Sequence, residues 1–352
     1  MDTSIMENII FRDCTEINDK LYFGDEDTAT LMVIDLKQQE CSILDISNSE
    51  KYRGQFIDLI TSVDSKIYFL ERSGAYMCEY STDTKLVRYI KIDCQWRGDG
   101  NFALVQHDAK NIFIFDRKHG VTIYDTVTDR VEKIPYPIAV DEVMTGCKYK
   151  DEYLLFQRTG DRALRFDVKK KKWRTVKMEA PLIHVIHVVA EQNKIYILTE
   201  DGSIIEWDVS DRWNEINVAK NFYNADRAAS RICLTKDALV VLPSVADEIL
   251  IIDKENLGMT IYKEYPHNFI YSNNTWTRYL GYCENEQEYF FACRTSRYVL
   301  KISKRTTEFS WILSEINENL FFEYKQRFPV IQEKPRYLDF FINRVCQGNK
   351  ED

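Results

Sequence analysis

A short apolar run recurs seven times along the chain, and its spacing constrains the fold more than any other feature. The runs are Lys20-Leu21-Tyr22-Phe23, Lys66-Ile67-Tyr68-Phe69, Asn111-Ile112-Phe113-Ile114, Glu152-Tyr153-Leu154-Leu155, Lys194-Ile195-Tyr196-Ile197, Ala238-Leu239-Val240-Val241 and Glu288-Tyr289-Phe290-Phe291. A second run closes each unit with an apolar residue and then Asp or Ser: Asp35, Ser81, Asp125, Asp167, Asp208, Asp253 and Ser303. Counted from the third residue of the first run, the closing residue lies 12 or 13 positions on in every unit. Successive closing residues are 41 to 50 apart, about 45 on average. Spacing that is tight within a unit and looser between units describes rigid hairpins joined by variable loops.

Each unit reads as four strands. In the fifth, Ile183–Ala190, Lys194–Leu198, Ser203–Asp208 and Trp213–Val218 are separated by polar turns such as Glu191-Gln192-Asn193 and Glu200-Asp201-Gly202. Four short strands repeating every 40 to 50 residues select a β-propeller among all-β folds. Helical repeats are excluded, because the apolar runs are short and rich in Tyr, Ile and Val. The expectation is an all-β chain: a seven-bladed β-propeller of four-stranded antiparallel blades over residues 1–313, with six blades plus an odd hairpin as the alternative. The seventh unit carries its own fourth strand, Thr307–Leu313, so the ring can close without borrowing an N-terminal strand.

The units resemble kelch-type blades, in which an apolar-Tyr strand, a hairpin and an apolar-Asp ending are followed by a Trp about six residues on. Unit four has Tyr153-Leu154-Leu155, Phe166-Asp167 and Trp173; unit five has Ile195-Tyr196-Ile197, Trp207-Asp208 and Trp213; unit seven has Phe290, Ser303 and Trp311. The kelch Gly-Gly doublet is missing from every unit, and the whole chain holds 12 glycines. The resemblance is therefore to a degenerate kelch-like propeller, and it implies architecture alone.

Residues 314–352 break the pattern. Leu338, Phe341, Ile342 and Val345 fall at helical spacing on one face, beyond Pro329 and Pro335. A helical C-terminal extension packed on the propeller is expected there.

A formal net charge of −9 argues against nucleic acid or an anionic membrane surface as the main partner. No apolar run approaches the ~20 residues of a membrane span. The N-terminus shows no basic region followed by an apolar one. Nine scattered cysteines without a C-x-x-C pair read as reduced thiols rather than a disulfide framework or zinc site. From these features a cytoplasmic protein is expected.

No catalytic signature is present, and no cofactor or metal is expected. His184 and His187 lie three apart in a strand-like run, which sends their side chains to opposite faces and denies them a shared metal. Gly98-Asp99-Gly100-Asn101-Phe102-Ala103 spells a dinucleotide fingerprint but lacks its strand-turn-helix context. Lys169–Lys172 reads as a solvated hairpin tip.

Function is left to the loops. In a propeller, the loops between blades and those joining second to third strands share one face, here called the top. The between-blade loops carry Arg53, Trp96, Arg97, Tyr136, Tyr223, Arg227, Trp276 and Arg278, and the second-to-third-strand loops add Arg72, Arg117, Arg158 and Arg294. Tyr, Trp and Arg supply large flat contact area and planar donors at low entropic cost. These eight between-blade residues are the expected ligand-binding set, and a non-enzymatic scaffold that captures a protein or peptide is the expected function. The alternative is a glycan or small anionic ligand, bound as by a lectin or processed by a carbohydrate-active enzyme, with Asp141, Glu142 and Asp226 as candidate acids.

Overall fold

The computed structural model describes residues 11–25, 30–45, 57–71, 76–92, 102–208, 212–225, 228–244, 246–267, 269, 279–293 and 298–313. These residues form seven four-stranded antiparallel sheets, each built from four consecutive strands in chain order. The blades span residues 11–45, 57–91, 102–135, 143–183, 185–216, 229–262 and 279–313. The first strand of each blade lies innermost. That of blade 1, Phe11–Ile17, adjoins the first strand of blade 2 on one side and that of blade 7 on the other. The ring is a seven-bladed propeller, and the reading as six blades plus a hairpin is excluded, since every unit completes its own sheet.

The burial pattern explains why the second strands are continuous apolar runs. A blade is covered on both faces by its neighbours, so alternation is lost. Leu21, Tyr22 and Phe23 are all buried, as are Ile112 through Phe115. The outermost strand has solvent beside it: in blade 3, Arg130–Pro135 is exposed except at Ile134. Among the described residues, the buried apolar side chains gather into seven clusters, one at each blade joint. The hydrophobic core is thus distributed around the ring.

The closing Asp or Ser of each unit sits where the third strand ends, and in the six units whose turn is described its side chain builds the turn into the fourth strand. Oδ1 of Asp35 accepts hydrogen bonds from the backbone of Lys37 and Gln38 at 3.0 Å each. Asp125 does the same for Val127 and Thr128 at 2.9 Å, and Asp253 for Glu255 and Asn256 at 2.9 and 3.0 Å. Oγ of Ser81 and of Ser303 reaches one N–H each, at 3.2 Å. Four residues past the closing position the backbone enters the left-handed region, at Gln39, Lys85, Asp129, Lys171, Leu257 and Thr307. The motif that made the repeat visible is an Asx-type turn.

In blade 5 the strands run Val185–Glu191, Lys194–Thr199, Ile204–Asp208 and Arg212–Ile216. The sequence reading extends its first strand two residues too early, because His184 has a φ of 53° and breaks the strand. It also misses the helix Val218–Tyr223, whose Ala219 is buried in the joint between blades 5 and 6. The C-terminal extension, residues 314–352, lies outside the described residues.

Candidate functional site

The top face is fixed by backbone hydrogen bonds that step from blade to blade. The Val143 N–H donates to the Arg117 carbonyl at 2.7 Å, Arg158 to Glu142 at 2.7 Å, and Val185 to Arg158 at 3.0 Å. Glu200 then donates to His184 at 2.9 Å, Ala228 to Glu200 at 2.9 Å, and Ser244 to Ala228 at 3.1 Å. Each bond joins a second-to-third-strand loop to a neighbouring between-blade connection. Side chains at these positions are therefore presented from a rigid rim.

Of the eight expected binding residues, two are described. Tyr136 is buried at the joint of blades 3 and 4, 8% exposed. Its hydroxyl donates to the Asp116 carbonyl at 2.5 Å, its ring meets Trp173 edge-on at 5.0 Å, and burial pushes its pKa well up. Tyr223 is half-buried; its hydroxyl donates to the Glu248 carbonyl at 2.7 Å, and burial raises its pKa as well. Both tyrosines brace blade joints. Arg53, Trp96, Arg97, Arg227, Trp276 and Arg278 lie outside the described residues, as do Arg72, Arg294 and Asp226.

The second-to-third-strand loops bring Arg117 and Arg158 to either side of Glu142. Arg117 Nη1 is 2.6 Å from one carboxylate oxygen, whereas Arg158 Nη1 stands 3.8 Å from the other. Glu142 is thereby committed to Arg117. Arg158, 40% exposed, is left with no carboxylate at hydrogen-bond distance among the described residues. Lys169, Lys170 and Lys171 each pair with a nearby carboxylate, Asp151, Asp167 and Glu132, as a solvated hairpin tip should.

Arg158 opens onto a cleft of about 690 Å³ between blades 4 and 5. One wall exists because the fourth strand of blade 4, Lys172–Ile183, is 12 residues long. It pairs normally up to Lys177 opposite Arg162, then resumes at Leu182 opposite Gly160. The excess residues form a bulge that turns Met178 into the joint core and Ala180 and Pro181 to the cleft. The strand then passes to blade 5 through His184 alone, leaving Ile183 61% exposed.

The opposite wall is the Thr199–Ser203 loop seated on the helix Val218–Tyr223. Gly202, at φ 88°, makes that seating possible: a Cβ there would stand 3.0 Å from the Lys220 backbone nitrogen. Asp201 accepts from Thr199 Oγ1 at 2.7 Å and from the Ser203 N–H at 3.0 Å, and pairs with Lys220 at 2.9 Å. Burial would raise its carboxyl, but Lys220, Thr199 and Ser203 outweigh that and hold it well below the usual range. Trp213 and Glu215 complete the lining. Nothing in the repeat pattern marked this cleft. Pro181 inside an outer strand was the one available signal of a bulge.

In the channel wall, His187 is buried and its Nδ1 accepts the Ile232 N–H of the next blade at 3.3 Å. Asp13 Oδ2 plays the same part for the Ile60 N–H at 2.9 Å. These contacts satisfy donors on first strands that have no ladder partner on the channel side. Burial, with Arg231 nearby, lowers the His187 pKa to about 3. His184 sits in the cleft and His187 in the channel wall. Among the described residues no three metal-ligating groups converge.

No family model matches the chain, and no curated protein matches it. Among solved structures it is similar to virginiamycin B lyase from Staphylococcus aureus, with 10% identity over 82% of this chain and 93% of that one, TM-score 0.63. It is also similar to PorZ, described as an essential surface component of the type-IX secretion system of Porphyromonas gingivalis. There the identity is 12%, over 88% of this chain and 38% of that one, TM-score 0.61. The extracellular domain of the putative hybrid two-component system BT3049 from B. thetaiotaomicron aligns at 12% identity, over 88% and 40%, TM-score 0.58. This chain therefore spans about two fifths of the latter two. At such identities the likeness carries the propeller fold alone.

Proposed function

We propose that this protein is a non-enzymatic recognition scaffold that captures a protein or peptide segment on its top face, with the cleft between blades 4 and 5 as its concave part. The observation that carries this reading is Arg158: a half-exposed guanidinium whose nearest carboxylate among the described residues, Glu142 at 3.8 Å, is already held by Arg117, at the mouth of a 690 Å³ cleft that also offers exposed Ile183. A planar donor beside apolar surface is the composition of a binding hot spot. Arg53, Trp96, Arg97, Arg227, Trp276 and Arg278 belong to the same proposed face. Kelch-like ancestry of the blades and a cytoplasmic setting are part of the proposal; the seven described cysteines are free thiols, which suits that setting. Among the described residues no helix is long and apolar enough to cross a membrane.

Selection of a random peptide library on the full chain tests the proposal. Enriched peptides are expected to bind at least tenfold more weakly to Arg158→Glu and Ile183→Asp. Binding to Lys85→Glu, altered on the opposite rim, is expected to be unchanged. Failure to enrich any peptide, or equal binding to all three variants, overturns it.

A second reading, a glycan or small anionic ligand, draws support from Trp213 lying in the same cleft as Glu200 and Glu215. A sugar could stack on the indole while the carboxylates accept its hydroxyls. The enzymatic form of this reading draws on virginiamycin B lyase, an enzyme of the same fold. Enrichment of glycans in place of peptides, lost in Trp213→Ala, would favour this second reading.

A further inference from the structure

Six blade joints are crossed by the chain itself, through a between-blade connection. The joint of blades 7 and 1, which closes the ring, has no such connection. Among the described residues it is held by packing: Leu21, Phe23 and Met32 of blade 1 lie against Phe290, Ala292 and Val299 of blade 7. At the inner edge of this cluster are two cysteines on the two adjoining first strands. Cys14 stands opposite Phe23 in its own sheet and Cys283 opposite Phe290, one position apart in the repeat, an offset that turns the two side chains to facing sides of the joint. They are 3% and 8% exposed, belong to the same packed cluster on two adjoining strands, and the Cys283 thiol bears electrostatically on that of Cys14.

We propose that Cys14 and Cys283 form an oxidant-driven disulfide clasp that converts the packed closure of the ring into a covalent one. The oxidant is hydrogen peroxide. One thiol, losing its proton, attacks the peroxide oxygen to give a sulfenic acid and water; the second sulfur then displaces a second water to form the disulfide. Two thiols and one peroxide become one disulfide and two waters. No third metal-ligating group joins the pair among the described residues, so a metal does not compete for it.

The surroundings determine when the clasp forms. Burial, together with the neighbouring thiol, pushes the Cys14 pKa up, so the thiolate is scarce while the joint is shut. Reaction requires the joint to open transiently, and the finished bond is shielded from reductants once it shuts. The clasp therefore reports on opening of this one joint and then arrests it. Cross-linking the first blade to the last constrains nearly the whole unfolded propeller, the arrangement in which a disulfide restricts the denatured chain most.

The test uses the reduced full chain treated with hydrogen peroxide, with and without urea below the unfolding transition, then alkylated and peptide-mapped. A Cys14–Cys283 linked peptide is expected, formed faster in urea and accompanied by a rise in Tm of about 5 °C. Cys283→Ser is expected to show no peroxide-dependent rise. Recovery of both cysteines as free or over-oxidised residues overturns the proposal. So does a link from either one to another cysteine, Cys41 at the edge of the same cluster being the nearest competitor. A Cys14–Cys283 link that leaves Tm unchanged overturns it too. If Cys283→Ser does not fold, the comparison of oxidised with reduced wild type carries the test unaided.

Discussion

Arg88 of blade 2 and Asp129 of blade 3 join their blades directly: Arg88 Nη1 lies 3.1 and 2.9 Å from the two carboxylate oxygens of Asp129. The other guanidinium nitrogen donates to Glu79 at 2.9 Å and to the Tyr124 hydroxyl at 3.0 Å, and that hydroxyl donates to Asp129 at 2.5 Å. Glu79 is 7% exposed, and without Arg88 its remaining cation would be Lys66 at 3.2 Å. Arg88→Ala is expected to cost about 1–2 kcal/mol, held below the value for a fully buried pair because Arg88 is itself 43% exposed. Urea unfolding measures it, and a variant as stable as wild type removes the network from the account of this joint. Burial works to raise the Glu79 carboxyl, but Arg88, Tyr68 and Lys66 outweigh it and the carboxyl sits low. Its stabilisation is therefore present above the ordinary carboxylate range and is lost as pH falls through the lowered value.

His187 gives the fold a second acid sensitivity, at higher pH. Its pKa is depressed to about 3 in the folded chain by burial and by Arg231, against the 6.5 of an unperturbed imidazole. Between those values the unfolded chain binds the extra proton, so stability falls on acidification by about 1.4 kcal/mol per pH unit below 6.5. In His187→Gln, whose amide oxygen can still accept the Ile232 N–H, the difference in stability between pH 7 and pH 5 should shrink by about 2 kcal/mol. An unchanged pH profile of chemical unfolding would contradict this.

The turn-building role of the closing residues can be tested by making the repeats more alike. Ser81 faces Lys66 across the ladder and Ser303 faces Glu288. Ser81→Asp should gain a second turn hydrogen bond and the kind of pairing Lys20 makes with Asp35 at 2.9 Å, raising stability by about 0.5–1 kcal/mol. Ser303→Asp gains the hydrogen bond but meets a like charge, so its effect should be smaller. Equal thermal shifts for the two would show that the cross-strand partner does not matter.

Tyr136 separates bracing from binding. Tyr136→Phe leaves the Asp116 carbonyl without its donor in a buried joint and should cost about 1–2 kcal/mol. Its affinity for top-face peptides should equal that of wild type. A loss of affinity with unchanged stability would return Tyr136 to the binding surface.

The architecture was legible because the propeller writes its period into the chain. Blades covered on both faces demand continuous apolar second strands, and each outer hairpin needs a side-chain acceptor at its turn. Leu21-Tyr22-Phe23 and Asp35 recur as Ile67-Tyr68-Phe69 and Ser81 for those two reasons. Strand ends were less legible: a left-handed His184 ends blade 4's outer strand inside an apolar stretch that reads as one run.

The sequence alone determined the four-stranded unit, its period and the closing Asp or Ser of each unit, since these depend on local contacts. The choice of seven blades over six and a hairpin was decided by the closed set of seven sheets. Tertiary structure decided which side chains at the top are committed. Tyr136 reads as a binding residue from its loop, and Arg158 reads only as part of the same top face. Only the joining of blades buries the first against Trp173 and gives Glu142 to Arg117, leaving Arg158 over the cleft. The meeting of Cys14 with Cys283, residues from the two ends of the ring, was equally invisible, because it exists only once all seven blades have closed the circle.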